Sequence, residues 1–201
     1  MRLADYVIKF LKEKKIDTVF TVSGGGSIHL CDALYKSKGI KYICCHHEQA
    51  VSFAAESYSR ARNKPGAAIV TTGPGGTNCI TGVSCCWIDS VPMIFISGQV
   101  NLKQTINNSR LRQVGVQEID IVNLVKSNTK YAVKISNPKD IKYHLENQVK
   151  GLNAHLSSMI GKLEAQEEEM TEQLKRLEEL TGHHLSHVQK EHELGKQSWR
   201  I

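Results

Sequence analysis

The sequence predicts an α/β fold, an open parallel sheet flanked by helices, followed by a long helical tail that resembles a coiled coil. Three observations support this fold class. Short apolar segments alternate with amphipathic segments over residues 1–146, two of the apolar segments end in glycine-rich turns, and a heptad pattern begins near residue 147. We therefore divide the chain into an α/β domain at residues 1–146 and a helical segment at residues 147–201.

Within the domain, each helix is predicted by an amphipathic stripe and each strand by a short apolar run. The helices are predicted at residues 3–15, 28–36, 48–62 and 77–87, and the strands at residues 17–22, 40–45, 67–72 and 93–97. Thr77 or Asn78 can cap the fourth helix. After a polar loop, we expect a short helix at residues 116–122, a strand at Tyr131–Ile135 and a helix with Pro138 at its first position.

The candidate binding residues follow the predicted strands. Gly24 and Gly25 come after the first strand, Glu48 opens the helix after the second, and Gly73 begins a turn after the third. Open α/β sheets bind ligands at the carboxyl ends of their strands, so a carboxylate here can point at a ligand. The alternative is that Glu48 complements the helix dipole and that the glycines form an ordinary tight turn. The glycine loop is not a Walker loop, because no Gly-Lys-Ser/Thr follows it.

The helical segment carries a sustained seven-residue repeat, which is typical of a coiled coil or a long packed helix. Its two apolar positions hold Leu145, Leu152, Met159 and Leu180, and Val149, Leu156, Leu163, Met170 and Leu177. Gln166 and Gln173 interrupt the repeat, and Gly182 is expected to end the helix. His183 and His187 lie four residues apart, but without a third ligand we predict a solvated end and no metal site.

Composition and charge exclude several classes of function. The net charge is +6, with 19 basic and 11 acidic residues in residues 1–146, and the basic residues are scattered without interleaved aromatic side chains. This pattern argues against nucleic-acid binding. No run of 18 apolar residues and no signal peptide is present, and the six cysteines form no Cys-x-x-Cys pair. We therefore expect a cytoplasmic protein with reduced thiols and no membrane partner.

Several separated motifs together resemble one known family. They are His47-Glu48-Gln49-Ala50, Gly73-Pro74-Gly75-Gly76-Thr77-Asn78, Asp89-Ser90-Val91-Pro92 with Gly98-Gln99, and Gln117-Glu118-Ile119-Asp120. In this order they resemble the pyrimidine-binding, N-terminal domain of thiamine diphosphate-dependent enzymes, closest to the acetolactate synthase-like group. The resemblance covers residues 1–146 and implies decarboxylation or carboligation of 2-oxo acids.

The resemblance also implies roles for individual residues. The glutamate that matches Glu48 contacts N1′ of the cofactor's aminopyrimidine, which makes Glu48 the candidate catalytic residue. The candidate cofactor-binding residues that shape the pyrimidine pocket are Gly24, Gly25, Glu48, Thr72, Pro74 and Asn78. Gln117 falls on the substrate side, although it can also be a polar group at a helix start.

Departures from the family limit what this chain can do alone. Ser23 and Val22 stand where acetolactate synthases usually have proline and an aromatic residue, so that group's substrate preference does not carry over. No Gly-Asp-Gly motif is present to hold Mg²⁺ and the diphosphate. We therefore expect Mg²⁺, and activity, only with a diphosphate-binding domain supplied by a partner chain.

The segment that follows Pro138 also departs from the family. No Gly-Arg-Pro-Gly-Pro segment with a final strand follows, so the domain lacks its last strand and leaves a sheet edge open. Whether the chain is an enzyme stays open, because the alternative is a non-catalytic oligomerisation protein with a relic α/β domain. In either case we expect a homo-oligomer or a complex with a partner chain.

Overall fold

The computed structural model describes residues 1–106 and 109–198, with side chains for residues 1–106, 109–151, 162 and 164–182. Its strands are β1 (Thr18–Thr21), β2 (Lys41–Cys44), β3 (Gly66–Val70) and β4 (Met93–Ser97). Its α-helices are α1 (Leu3–Glu13), α2 (Ile28–Lys36), α3 (Glu48–Arg62), α4 (Pro74–Thr77), α5 (Ile80–Ile88), α6 (Ile121–Val125) and α7 (Ile141–Ser198). Short 3₁₀ turns lie at Gly25–Ser27, Leu102–Gln104, Lys126–Asn128 and Pro138–Asp140.

The four strands form one parallel sheet in the order β2-β1-β3-β4. Each connection between strands contains a helix, which is the arrangement that parallel pairing requires. Every residue of β1 and β3 is buried, whereas all four residues of the edge strand β2 are exposed. The predicted α/β class and its open parallel sheet are therefore confirmed.

Helices cover both faces of the sheet, because side chains alternate along each strand. On one face, Val19, Ile69 and Ile94 pack in a cluster with apolar residues of α1 and α2 and with Leu145 from the first turns of α7. On the other face, Phe20, Ala68 and Val70 pack with residues of α3 and α5. The sheet thus forms the middle of three layers.

Tyr131–Ile135, predicted as a fifth strand, is not a strand in the structure. Its apolar residues favour the extended conformation locally, but a strand is completed only by backbone pairing with a neighbour. Among the described residues, no segment forms a backbone hydrogen bond with Tyr131–Ile135. The missing neighbour therefore explains the wrong prediction.

Two helix boundaries also differ from the sequence prediction. The helix expected to run from the Thr77 or Asn78 cap to about residue 87 is α5, which begins only at Ile80, and the glycine turn before it contains the one-turn helix α4. The helix expected at residues 116–122 begins only at Ile121, where the Asp120 side chain accepts a hydrogen bond from the backbone N–H of Asn123. The capping carboxylate sets this start, as Asp does at many helix N-termini.

Backbone contacts divide the chain into two compact units, Met1–His155 and Leu156–Ile201. The second unit belongs to α7, which continues through Gly182 to Ser198, so the predicted end of the helix at Gly182 is wrong. One glycine costs a helix about 1 kcal/mol relative to alanine, which the helix-favouring residues around it can offset. The predicted histidine pair, His183 and His187, lies outside the described side chains. In the part of the chain that the structure describes, no helix combines the length and apolar character needed to span a membrane.

Candidate functional site

Two glycine turns meet at the carboxyl ends of the neighbouring strands β1 and β3, and Thr71 joins them. A Cβ atom built on Gly24 would lie 2.5 Å from the Cβ of Thr71, so only glycine fits at this point. The backbone N–H of Gly26 donates a hydrogen bond of 3.1 Å to the Thr71 hydroxyl oxygen. Thr71 thereby holds the first glycine turn against the residues that lead into the second.

Glu48 is the first residue of α3 and reaches the second glycine turn. His47 caps the helix, because its Nδ1 accepts a hydrogen bond of 3.1 Å from the backbone N–H of Gln49. The half-buried Glu48 side chain accepts a 2.9 Å hydrogen bond at Oε2 from Nδ2 of Asn78. Its other oxygen, Oε1, lies 3.4 Å from the position that a Cβ on Gly75 would take.

The two carboxyl oxygens of Glu48 therefore have different surroundings. Oε2 is held by Asn78, whereas Oε1 accepts no hydrogen bond from any residue that the structure describes. A carboxyl group anchored through one oxygen can present the other to a ligand in a fixed direction. This geometry fits a group that exchanges a hydrogen with a ligand, in addition to complementing the helix dipole.

Cys79 lies directly beneath Glu48 and is buried. Its Sγ donates a hydrogen bond of 3.2 Å to the backbone carbonyl oxygen of Glu48. Burial, and secondarily the charge of Glu48, raises the pKa of the Cys79 thiol to about 12. Because the nucleophilic form of cysteine is the thiolate, Cys79 is a packing residue and not a nucleophile at neutral pH.

The turn after β3 directs Asn78 toward Glu48. Gly73 has a φ of +59°, which favours glycine, and Pro74 follows at the first position of α4. The Thr77 hydroxyl donates a hydrogen bond of 3.2 Å to the carbonyl oxygen of Pro74. The N-cap residue of α5 is Cys79, so the prediction that Thr77 or Asn78 caps this helix is wrong. The Asn78 amide instead binds the carboxylate, which is a stronger acceptor.

Thr72 and Gly25 differ in their access to the space between the turns. Thr72 is buried, and its hydroxyl donates a 2.8 Å hydrogen bond to Oε1 of Gln99. Nε2 of Gln99 in turn donates a 3.1 Å hydrogen bond to the carbonyl oxygen of Ile119. Thr72 thus fixes the loop after β4, whereas a Cβ on Gly25 would meet nothing within 4 Å.

Gln117 lies against the Gly73 turn. Its carbonyl oxygen is 2.1 Å from the position of a Cβ built on Gly73, so the two backbones are in close contact. Gln117 is exposed, has a φ of +58° and precedes the start of α6 by four positions. It is therefore not a polar group at a helix start, and its side chain is accessible beside the turn.

Sequence reasoning missed two residues that organise the site. The sequence gives no reason to prefer Thr71 over its neighbour Thr72, and only the structure shows that Thr71 contacts Gly24. Glu118 accepts hydrogen bonds from the backbone N–H groups of Ile106, at 2.6 Å, and Val114, at 3.2 Å. Burial alone would raise the pKa of Glu118, but these bonds, one from Gly115 and the charge of Lys134 together lower it. Glu118 thus anchors the loop after β4, and no local pattern signals this role.

Among the side chains that the structure describes, no group of three or more His, Cys, Asp or Glu residues is arranged to hold a metal ion.

Comparison with known proteins adds independent information. The family model described as "Thiamine pyrophosphate enzyme, N-terminal TPP binding domain" matches residues 1–124. Acetolactate synthase, chloroplastic, from Arabidopsis thaliana is 36% identical over 138 residues, which are 69% of this chain and 20% of that protein.

A bacterial and an archaeal relative show similar sequence identity and coverage. The acetolactate synthase isozyme 2 large subunit of Escherichia coli (strain K12) is 34% identical over 141 residues, 70% of this chain and 24% of that protein. A probable acetolactate synthase large subunit from Methanocaldococcus jannaschii is 36% identical over 141 residues, again 70% of this chain and 23% of that protein. The chain therefore spans less than a quarter of the length of these relatives.

Proposed function

Because this chain belongs to the thiamine pyrophosphate enzyme family, whose N-terminal TPP binding domain it carries at residues 1–124, we propose that it is the pyrimidine-binding half of an acetolactate synthase-like enzyme. The single observation that carries the proposal is the placement of Glu48. Its carboxyl group is anchored through Asn78 and stands over the second glycine turn with one oxygen available. The substrates are 2-oxo acids, which undergo decarboxylation or carboligation.

The residues present fit an aminopyrimidine ring. Gly24 and Gly75 let the two turns close on Thr71, since a Cβ at either would collide with it, and Gly25 leaves open space for the close approach of a flat heterocycle. Such a ring also needs a hydrogen-bonding partner for its nitrogen, which Oε1 of Glu48 would supply. Glu48 would hold or give a proton at the ring nitrogen N1′, while Asn78 keeps the carboxyl group oriented.

The remaining residues position the cofactor. Gly25, which has open space at its Cβ position, and Pro74 in the next turn would contact it. Thr72 would hold the loop that bounds it through Gln99. Thiamine diphosphate, when bound, supplies a carbon nucleophile for the 2-oxo acid carbonyl and an electron sink for the charge left after CO2 departs. Gln117, exposed beside the Gly73 turn, is placed to approach the substrate.

The diphosphate and Mg²⁺ would be held by a partner chain that carries a diphosphate-binding domain. The sequence has no Gly-Asp-Gly motif, and within the described side chains no acidic cluster replaces it. Activity would therefore require association with that partner, with the site formed between the two chains. The cytoplasm is the proposed compartment, since all six cysteines, including the exposed Cys44, are free thiols.

Glu48→Gln tests the proposal without disturbing the fold. The glutamine oxygen can still accept the hydrogen bond from Asn78, but the side chain can no longer exchange a proton with N1′. We expect calorimetry of thiamine diphosphate binding, in the presence of Mg²⁺ and a diphosphate-domain protein, to show at least a tenfold loss of affinity or a loss of the associated proton uptake. Glu13→Gln, which removes an exposed carboxylate on α1, is the matched control. Equal binding and proton uptake in both variants would refute the role of Glu48.

A second candidate function is supported by the tail. Four apolar side chains of α7, between 58% and 69% exposed, lie within three turns: Met170, Leu174, Leu177 and Leu180. Such a stripe on one helix is typical of a coiled-coil surface. The chain would then be an oligomerisation protein whose α/β domain is a relic.

Sedimentation of two charge-matched variants tests this second function. Leu177→Lys places a charge in the stripe, and Glu179→Gln changes the net charge equally on the opposite side of the helix. The second function predicts self-association that only Leu177→Lys abolishes, with no thiamine diphosphate binding under any condition. Cofactor binding by both variants would contradict it.

A further inference from the structure

Of the two edges of the sheet, the one at β4 borders a cavity of about 780 Å³. On its other edge β4 pairs with β3, and Gly66 and Gly98 extend that ladder through hydrogen bonds to the carbonyl oxygens of Pro92 and Val70. Because backbone groups alternate in direction along a strand, the N–H and C=O groups of Ile94 and Ile96 point toward β3. The N–H and C=O groups of the alternate residues Met93, Phe95 and Ser97 therefore face the cavity. Among the described residues, none forms a hydrogen bond with them.

The cavity lies in the plane of the sheet, between the two layers of helices. Val83 of α5 and Val125 of α6 line it on one side, and Ala4 of α1 and Leu145 of α7 on the other. It also extends along β4, since Met93 and Phe95 are part of its wall. It is therefore a slot that continues the sheet beyond β4.

The far wall of the slot is Tyr131–Ile135. This segment makes no backbone hydrogen bond with another described segment. It is held in place by the Tyr131 hydroxyl, 2.5 Å from Nδ1 of His144 on α7, and by the Asn128 amide, which donates to the Ser84 hydroxyl at 2.7 Å. The slot thus has unpaired backbone groups on both of its long walls, and such groups carry a cost when they are shielded from water.

The size of the cavity limits the slot to a single strand. A strand as long as β4, at about 3.3 Å per residue, about 4.8 Å from its neighbour and in a layer about 10 Å thick, takes up about 800 Å³. The cavity of about 780 Å³ also reaches Gly26, Gly76 and Gln99 at the carboxyl ends of the strands, so the part beside β4 has room for no more than one strand. An inserted strand could pair with β4 on one edge and with Tyr131–Ile135 on the other.

We propose that an extended segment of another polypeptide, apolar on both faces, inserts between β4 and Tyr131–Ile135 and completes the sheet by β-augmentation. Both helix layers line the slot with apolar side chains, so the centre of the segment carries no charge. A second copy of this chain is a poor occupant. The far wall prevents two β4 edges from meeting directly, β1 and β3 are already paired on both edges, and the other edge strand, β2, carries the charged Lys41.

The proposal is tested on the full chain with a synthetic peptide as the probe. The peptide is fluorescein-labelled Glu-Gly-Val-Val-Ile-Val-Ser-Lys, and its control is the same sequence N-methylated through its centre, which keeps the side chains but removes the backbone donors. We expect a saturable rise in fluorescence anisotropy with the first peptide only. Amide hydrogen exchange at Met93, Phe95 and Ser97 should slow about tenfold or more when the peptide is bound.

Two protein variants locate the binding. Ala132→Trp fills the slot from its far wall and should abolish peptide binding, whereas Tyr143→Trp changes an exposed residue outside the slot and should not. Equal binding of both peptides would show a site for apolar ligands in general and overturn the strand proposal. Protection of the three amides without peptide, in a self-associated chain, would show that a second copy covers the edge. Absence of binding by a monomer whose three amides exchange freely would also overturn it. None of these outcomes depends on thiamine diphosphate binding.

Discussion

At the scale of single residues, Gly24 and Gly25 are adjacent but differ in what surrounds them. A side chain on Gly24 would collide with Thr71, whereas one on Gly25 would enter open space. Gly24→Ala should therefore lower the free energy of unfolding by about 1–3 kcal/mol. Gly25→Ala should change it by less than about 0.5 kcal/mol, yet weaken thiamine diphosphate binding. Urea denaturation and calorimetry of the two variants check both parts, and equal stabilities would contradict the packing of the two turns.

Asp17 provides a pH-dependent contribution to stability. The Tyr58 hydroxyl donates a hydrogen bond of 2.7 Å to Asp17, and this bond, helped by Thr18 and Arg62, lowers the pKa of Asp17 below its usual value of 3.8. A carboxylate with a lowered pKa in the folded state stabilises the protein above the pKa of the unfolded chain. This contribution is lost as the pH falls through the folded value.

Tyr58→Phe should accordingly destabilise the protein by about 0.5–1.5 kcal/mol at pH 7, because it removes one hydrogen bond whose charged acceptor, the Asp17 carboxylate, is about half exposed and therefore screened by water. The difference from the unchanged protein should shrink as the pH falls below about 4. Denaturant titrations at several pH values measure it. Tyr35→Phe, at an exposed position, is the control and should show no effect. A destabilisation by Tyr58→Phe that is independent of pH would contradict the role of Asp17.

At the scale of elements, the question for α7 is whether Gly182 ends the helix or only weakens it. The helix passes through Gly182, and a Cβ there would meet nothing within 4 Å. Gly182→Ala should therefore increase the helix content seen by far-ultraviolet circular dichroism and stabilise the helix by up to about 1 kcal/mol. Gly151→Ala, which also meets nothing within 4 Å, is a comparison within the same helix. A loss of helix content in Gly182→Ala would indicate that the helix ends there.

The sequence correctly predicted those helices and strands that are determined by residues close together in the chain. The strands β1 to β4 and the placement of Glu48 at the start of α3 follow from apolar runs, turns and helix-start signals, and the structure contains all of them. Tyr131–Ile135 has the same local signal as β4, but its conformation depends on a pairing partner that sequence periodicity does not reveal. The amide of Asn78 likewise serves a residue 30 positions away, a contact that only the fold brings about.

At the scale of the whole molecule, the first compact unit combines a packed core with an unpaired strand edge at β4. The candidate site lies at the carboxyl ends of β1 and β3, whereas the slot lies beyond β4. Under our two proposals, one polypeptide supplies the diphosphate-binding half of the site and one completes the sheet. Both proposals make the chain a component of an assembly.

The rate of CO2 release from pyruvate, with thiamine diphosphate, Mg²⁺ and a diphosphate-domain protein, tests the central claim most directly. We predict turnover only when both proteins are present, and a decrease of about 10²-fold or more with Glu48→Gln, which is the usual effect of losing an acid–base group. Undiminished turnover of the mixture with Glu48→Gln would contradict the assignment of Glu48 as the residue that acts on the cofactor.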